Sequence, residues 1–176
     1  MNQPAGGVEY IELQNILDLP VPLFDPAYPT NTWTLSAAVD YVFPTGVVMD
    51  ACGTLLVVPT NPAAFRSMYS IDVSIPIYGP WTGALNNAGE SVKLRRPGAP
   101  ELLGFVPRIL TDKVNYQPHA PWPVQPDGGG PALERIALYA YGNDPVNWRA
   151  SVPGGTPGGA GGARQHMTVA VDVALA

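Results

Sequence analysis

A few residues have side chains suited to nucleophilic catalysis, which needs a nucleophile, a base and an orienting group within reach of one another. The sequence contains one cysteine, Cys52, and two histidines, His119 and His166. A Cys52–His119 dyad with nearby loop aspartates would indicate a hydrolase, whereas the position of Cys52 before an apolar strand favours a small packed side chain. The sequence has no G-x-S-x-G, H-E-x-x-H or phosphate-binding glycine motif. No residue is therefore predicted to be catalytic.

Loop oxygens offer a second kind of chemistry, because calcium takes oxygen ligands alone. The candidate ligands are Asp127, Asn143 and Asp144. Asp144 precedes Pro145, so its side chain is also suited to cap a single helical turn that leads to Trp148. Capping is the favoured interpretation. One cysteine allows neither an intrachain disulfide nor a cysteine-based zinc site, and no metal or cofactor is predicted.

Aromatic side chains could form a platform that stacks against sugar rings. Of the four tryptophans, Trp33 and Trp148 lie in apolar patterns and are predicted to be in the core. Trp81 and Trp122 lie in proline-containing loops and are expected to be partly exposed. They are the candidates for a carbohydrate site. The favoured alternative is that they close the ends of the domain.

Charge and hydropathy exclude two kinds of partner. The net charge is −5, and the densest basic cluster, Lys93, Arg95 and Arg96, would divide between the two faces of a strand. Nucleic-acid binding is therefore not expected. No apolar run approaches the ~20 residues of a membrane-spanning helix, so membrane insertion is not expected either. The first residues lack a signal-peptide pattern, which fits a cytoplasmic protein or a domain from a longer exported chain.

The elements that must position these residues are short strands separated by turns. The 19 glycines and 21 prolines leave no room for a helical bundle. One short helix is predicted near 62–69, with Asn61 as N-cap and with Phe65, Met68 and Tyr69 on one face. Strands are predicted at 8–15 (with a β-bulge), 32–35, 54–58, 71–77 (an edge strand), 91–96, 113–116 and 133–136. This pattern is typical of an all-β sandwich.

Three segments are predicted along the chain. Residues 1–158 form one β-sandwich domain, and residues 153–163, with six glycines and two prolines, form a linker. Residues 164–176 are predicted to form an extra C-terminal strand, because valine or leucine alternates with smaller or polar residues over 168–175. A lone strand cannot bury its apolar face, so this one is expected to pair with a sheet edge of this domain or of a neighbour, or to begin a following domain.

An ordered series of motifs over roughly residues 6–158 resembles the bacterial form of the lamin-tail domain. It includes Glu-Tyr-Ile-Glu-Leu-Gln-Asn at 9–15, Trp-Thr-Leu at 33–35, Phe-Pro-Thr-Gly at 43–46, Gly-Pro-Trp-Thr-Gly at 79–83, Asp-Lys-Val-Asn-Tyr at 112–116, Ala-Pro-Trp-Pro at 120–123 and Asn-Asp-Pro-Val-Asn-Trp at 143–148. The resemblance implies an immunoglobulin-like β-sandwich of about seven to nine strands without a shared active site. It also implies a module of long exported or surface-anchored proteins.

Three functions follow as hypotheses. The leading one is a non-catalytic protein-interaction or structural domain of a larger bacterial protein, located outside the cell or in the cell envelope. The second is a carbohydrate-binding module that uses Trp81 or Trp122. The third is a hydrolase that uses Cys52, His119 and loop aspartates.

Overall fold

The computed structural model describes residues 8–126, 130–153, 155 and 157–159, together with the backbone of 168–171. Strands predominate in this part of the chain, with one short α-helix, so the predicted all-β sandwich is confirmed. The helix is α1, Pro62–Tyr69. The strands are β1 Ile11–Asn15, β2 Val21–Pro22, β3 Phe24–Asp25, β4 Tyr28–Thr32, β5 Thr34–Ala37, β6 Val39–Val42, β7 Val48–Met49, β8 Thr54–Val57, β9 Ile77–Tyr78, β10 Thr82–Gly83, β11 Glu90–Pro97, β12 Arg108–Tyr116, β13 Leu133–Arg135, β14 Trp148–Ala150 and β15 Thr168–Val171.

Two larger sheets form the sandwich. The first has the order β15-β1-β8-β9, with β1 antiparallel to β8 and parallel to β15. The second has the order β10-β6-β5-β11-β12 and is antiparallel throughout. Three two-stranded ladders, β2–β7, β3–β4 and β13–β14, complete the described sheets. Several strands are only two residues long, which is why the segments outnumber the seven to nine strands expected.

The main core lies between the two sheets. Leu13 of β1 and Leu55 of β8 face Leu35 of β5 and Leu94 of β11 across it, and each is at most 1% exposed. Trp33 and Trp148 are buried in the same cluster, which confirms their predicted core positions. Alternation along each strand therefore directs every second side chain into one shared interior.

The first sheet is covered on its outer face as well, by α1. Phe65 of the helix is fully buried against Leu56 and Val58, which point away from the main core. Because both faces of β8 are covered, its sequence is a continuous apolar run rather than an alternating one. The same burial explains why the segment that enters β1 is apolar at both parities. Tyr10 packs with Phe65 of α1, whereas Ile11 and Leu13 lie in the main core, so the side chains alternate between the two faces without the β-bulge that was predicted.

The helix has the predicted bounds and the predicted cap. Oδ1 of Asn61 accepts hydrogen bonds from the backbone N–H groups of Ala63 and Ala64, at 2.9 and 3.1 Å. The predicted apolar face is wrong at one position, because Met68 is 55% exposed. Phe65 and Tyr69 do pack together, with ring centroids 4.6 Å apart.

The predicted edge strand over 71–77 is also wrong, because only its last residue lies in a strand, β9. The backbone turns at Asp72, whose side chain accepts a hydrogen bond from Ser74 N at 2.8 Å while its carbonyl accepts one from Ile75 N. This local turn competes successfully with the alternating apolar pattern. Val73 consequently lies 86% exposed.

The C-terminal strand β15 lies beside β1 in parallel, with Leu13 opposite Val169. Gly158 N, before it in the chain, donates a hydrogen bond to Oε2 of the buried Glu12 at 3.0 Å. The remainder of the predicted linker, at 154, 156 and 160–163, lies outside the described residues, as does His166. The division into domain, linker and added strand stays a prediction.

Candidate interaction surface

The side chains proposed for a hydrolase do not combine in the described structure. Cys52 is exposed in the turn before β8, with φ +54°, and its Sγ donates to Leu17 O at 3.5 Å. The prediction that Cys52 is a packed side chain is therefore wrong. His119 is exposed, and its Nδ1 lies 3.1 Å from Ala120 O. Among the described residues, no hydrogen bond joins Cys52 to His119.

The turn that exposes Cys52 is organised by a buried amide that sequence analysis did not single out. Nδ2 of Asn15, which is fully buried, donates to Leu19 O at 2.7 Å and to Asp50 O at 2.9 Å, and its Oδ1 accepts from Leu17 N. Asn15 thereby satisfies the backbone of two loops at once. Its role is structural.

Two of the three oxygen donors considered for calcium take part in hydrogen bonds to the backbone. Asp144 caps a single 3-10 turn, Pro145–Asn147, by accepting from Val146 N at 3.1 Å, which confirms the predicted cap. Oδ1 of Asn143 accepts from Asn115 N at 2.7 Å. Asp127 lies outside the described residues. Within 8–126 and 130–153, no group of three His, Cys, Asp or Glu side chains is arranged to hold a metal ion.

The two loop tryptophans are buried. Trp81 is 4% exposed and Trp122 is 6% exposed, so the expectation of partial exposure is wrong. The backbone N–H of Trp81 donates to Val58 O, and the ring of Trp122 lies 6.0 Å from that of Trp148, centroid to centroid. Both rings belong to the main core. Neither presents a free face to a sugar.

The most exposed apolar side chains lie at the tip of the β11–β12 hairpin, residues 98–107, hereafter the tip. Leu102 is 93% exposed, Leu103 is fully exposed and Phe105 is 63% exposed. This clustering differs from the scattered exposure that is normal on protein surfaces. It makes the tip the strongest candidate for a contact with another molecule.

Hydrogen bonds across the tip fix its shape. Gly98 N donates to Pro107 O at 2.8 Å, and Glu101 N donates to Phe105 O at 2.7 Å. Leu103 has φ +67°, a conformation that costs a non-glycine residue about 1–3 kcal/mol. A leucine is thus held in an unfavourable backbone conformation with its side chain directed into solvent.

Basic residues surround the base of the tip. Five of the chain's nine lysines and arginines lie on this hairpin, against three acidic residues: Lys93, Arg95, Arg96, Arg108 and Lys113 against Glu90, Glu101 and Asp112. The hairpin is therefore positively charged, although the whole chain has a net charge of −5. Arg95 is tied down by Arg108 O at 3.0 Å and Ser36 Oγ at 3.3 Å, whereas Arg96 is exposed.

An open apolar cavity of about 450 Å³ adjoins the base of the hairpin. Its walls include Leu19, Phe24, Trp33, Pro97 and Ile109. Gly98 and Ala99 of the tip and the exposed Arg96 also line this cavity, so it begins where the tip begins. The signal for this surface in the sequence is the run Leu-Leu-Gly-Phe-Val at 102–106, which lies between Pro100 and Pro107 and was not among the predicted sites.

No family model, curated protein or solved structure matches this chain. The lamin-tail resemblance accordingly continues to depend on the ordered motifs alone. In the part of the chain that is described, no helix is both long and apolar enough to cross a membrane.

Proposed function

We propose that this chain is a non-catalytic module of the lamin-tail type that binds a partner protein through the tip of its β11–β12 hairpin. In this proposal it is an immunoglobulin-like domain of a larger bacterial protein, located outside the cell or in the cell envelope. The proposal draws on the motif series, on the all-β sandwich and on the absence of a recognisable catalytic motif in the sequence.

One observation supports it most directly: Leu102, Leu103 and Phe105 are presented to solvent on a hairpin of defined shape. Exposed apolar surface is stabilised by roughly 25 cal/mol for each Å² that a partner covers. A tip of fixed shape also loses little conformational entropy on binding. The surrounding arginines favour a partner whose apolar groove has acidic residues along its edge.

The other two hypotheses have less support. Sugar stacking by Trp81 or Trp122 would require rings that are now buried to become exposed. Hydrolysis would require Cys52 and His119 to act together. The Cys52 side chain instead contacts the carbonyl of Leu17, and the His119 ring contacts that of Ala120. A broad panel of esterase and phosphatase substrates tests the latter: we expect no turnover that is lost in His119→Ala.

Site-specific photo-crosslinking in the native host tests the proposed interface. A photoreactive amino acid replaces Leu102 in one variant and Val73, which is 86% exposed on another loop, in the control. We expect one discrete protein adduct from position 102 that disappears when Phe105→Ser is added. Identical adducts from both positions, or none from position 102, would contradict the proposal.

A further inference from the structure

A second cavity, of about 390 Å³, lies between β12 and the loop that follows β13, residues 136–144. The strand contributes Thr111, Asp112 and Lys113 to its wall, and the loop contributes Tyr139 and Tyr141. The two tyrosine side chains are 81% and 69% exposed. Two aromatic rings thus border a cavity whose wall also contains charged and hydroxyl groups.

Arg135 holds this loop in place from beneath. Its Nη1 lies 3.1 Å from Oδ2 of Asp112, and its Nη2 donates to Ala140 O at 2.7 Å. Its guanidinium carbon lies 5.7 Å from the ring centroid of the buried Trp148, within the range of a cation–π contact. One buried side chain therefore joins β12, the loop and the core.

The far side of the loop is fixed by two more hydrogen bonds. Nε1 of Trp148 donates to Gly142 O at 2.8 Å, and Nδ2 of Asn147 donates to Tyr141 O at 2.9 Å. Gly142 packs so closely that a Cβ atom there would overlap Nη2 of Arg135 and lie 2.8 Å from Oδ1 of Asp112. The backbone that presents the tyrosines is therefore held in a defined position before any ligand arrives, which lowers the entropic cost of binding.

The exposure of the two rings is not explained by packing within the described structure. Aromatic rings with free faces are suited to stack on flat, partly apolar ligands, and the phenol of Tyr141 can hydrogen-bond at the edge. The phenol of Tyr139 already donates to Ile16 O at 3.3 Å, which helps to fix the position of its ring.

The charges of the cavity indicate the ligand's sign. Asp112 and Arg135 balance each other as an ion pair, which leaves Lys113 as the remaining charged residue of the wall. We propose that this cavity binds an acidic saccharide, with pyranose rings against Tyr139 and Tyr141 and a carboxylate or sulfate group near Lys113. The inference is independent of the protein partner proposed for the tip.

The test is a titration of the full chain with oligosaccharides. Binding is measured by calorimetry and by changes in amide chemical shifts. The acidic probes are oligogalacturonate, oligomannuronate and a heparin-derived oligosaccharide, and the neutral probe is a cello-oligosaccharide of similar length. We expect at least one acidic probe to bind and to shift the amide signals of 111–113 and 139–142. Binding should weaken as salt is added, because the Lys113 contact is screened.

Matched variants locate the site. We expect Tyr139→Ala and Tyr141→Ala each to reduce affinity about tenfold, as loss of an aromatic contact does. Lys113→Gln should reduce affinity about threefold and reduce the salt dependence. Tyr28→Ala removes a tyrosine that is 50% exposed on β4 and should change nothing. The tip variant Phe105→Ser should likewise leave saccharide binding intact.

Three results would overturn the proposal. No binding of any acidic probe at millimolar concentration would remove the site. Equal affinity for the neutral probe would remove the role of Lys113. If no saccharide bound and Tyr139→Ala altered the crosslinking from the tip, the loop would belong to the protein interface instead.

Discussion

Asp112 and Arg135 form an ion pair in which only 10% and 2% of the respective side chains are exposed, with Oδ2 and Nη1 3.1 Å apart. The pair joins β12, the last strand of the five-stranded sheet, to the separate β13–β14 ladder. Removing two charges from water is costly, and the cost is offset only when each has its partner in good geometry. The position of the β13–β14 ladder and of the loop after it therefore depends on this pair.

Loss of one partner of this pair should be strongly destabilising. We expect Asp112→Ala to lower the free energy of unfolding by about 3–5 kcal/mol, because Arg135 would keep a buried charge without its partner. Urea unfolding measures the effect. The double variant Asp112→Ala, Arg135→Met should cost less than Asp112→Ala alone. Glu101→Ala, at an exposed site, is the control. If Asp112→Ala lowers the free energy of unfolding no more than this control does, the account is contradicted.

A side chain at Gly142 should be destabilising. A Cβ atom at this position would overlap the guanidinium of Arg135, so we expect Gly142→Ala to cost about 1–3 kcal/mol. Gly46→Ala is the comparison, because a Cβ there meets nothing within 4 Å and only its φ of +79° is unfavourable. We expect Gly46→Ala to cost about 1 kcal/mol. The amide chemical shifts of 139–142 should change in Gly142→Ala and not in Gly46→Ala. If they do not change in Gly142→Ala, the close contact is contradicted.

The two buried tryptophans Trp81 and Trp148 should respond differently to phenylalanine. Nε1 of Trp148 donates to Gly142 O at 2.8 Å, whereas Nε1 of Trp81 is buried without a partner in the described structure. Trp148→Phe leaves a carbonyl unsatisfied, at a cost of about 1–3 kcal/mol beyond the lost volume. Trp81→Phe removes an unsatisfied donor, so it should cost less. Thermal unfolding measures the stability of both variants. An equal decrease in melting temperature for Trp148→Phe and Trp81→Phe would show that ring volume alone matters.

Local sequence patterns correctly predicted the elements whose structure is determined by neighbouring residues. The N-cap at Asn61, the proline at 62 and the apolar run at 54–58 act within a few residues, and α1 and β8 form where these signals place them. The segment 71–77 has an equally clear alternation but no strand over most of its length, because the Asp72 side chain stabilises a turn. Periodicity alone could not show which of two local preferences would prevail.

The candidate sites were harder to predict because they depend on distant contacts. Trp81 is buried because its loop meets Val58, and the 136–144 loop is fixed because Arg135 meets Asp112, 23 residues earlier in the chain. Neither pairing has a signature in the sequence. Tyr139 and Tyr141 are recognisable as a possible site only when the loop beneath them is seen to be fixed.

The cap of α1 should contribute measurably to stability. Oδ1 of Asn61 accepts two backbone hydrogen bonds at the start of the helix, so we expect Asn61→Ala to lower the free energy of unfolding by about 1 kcal/mol. Asn61→Asp keeps the acceptor and should restore most of the loss. Chemical denaturation compares the two, and equal destabilisation by both substitutions would show that the cap is not responsible.

Alkaline pH should destabilise the domain through two buried tyrosines. Burial raises the pKa of Tyr10 far above its ordinary value, with the charges of Glu12, Tyr69 and Glu134 adding to the effect. Burial likewise raises the pKa of Tyr116, whose OH donates to Asn86 O at 2.9 Å. In the unfolded chain both phenols ionise near pH 10, so above that pH the unfolded state binds fewer protons than the folded state.

Stability contributed by these groups is therefore fully present below about pH 10 and is lost as the pH rises, by up to about 1.4 kcal/mol per pH unit for each tyrosine. Urea unfolding at several pH values from neutral to alkaline measures the slope. Tyr116→Phe removes one titrating group and should make the slope shallower, even though loss of the hydrogen bond lowers stability at neutral pH. Tyr28→Phe, at an exposed tyrosine, should leave the slope unchanged. A slope that is the same in all three proteins would show that Tyr116 ionises as readily in the folded state as in the unfolded chain.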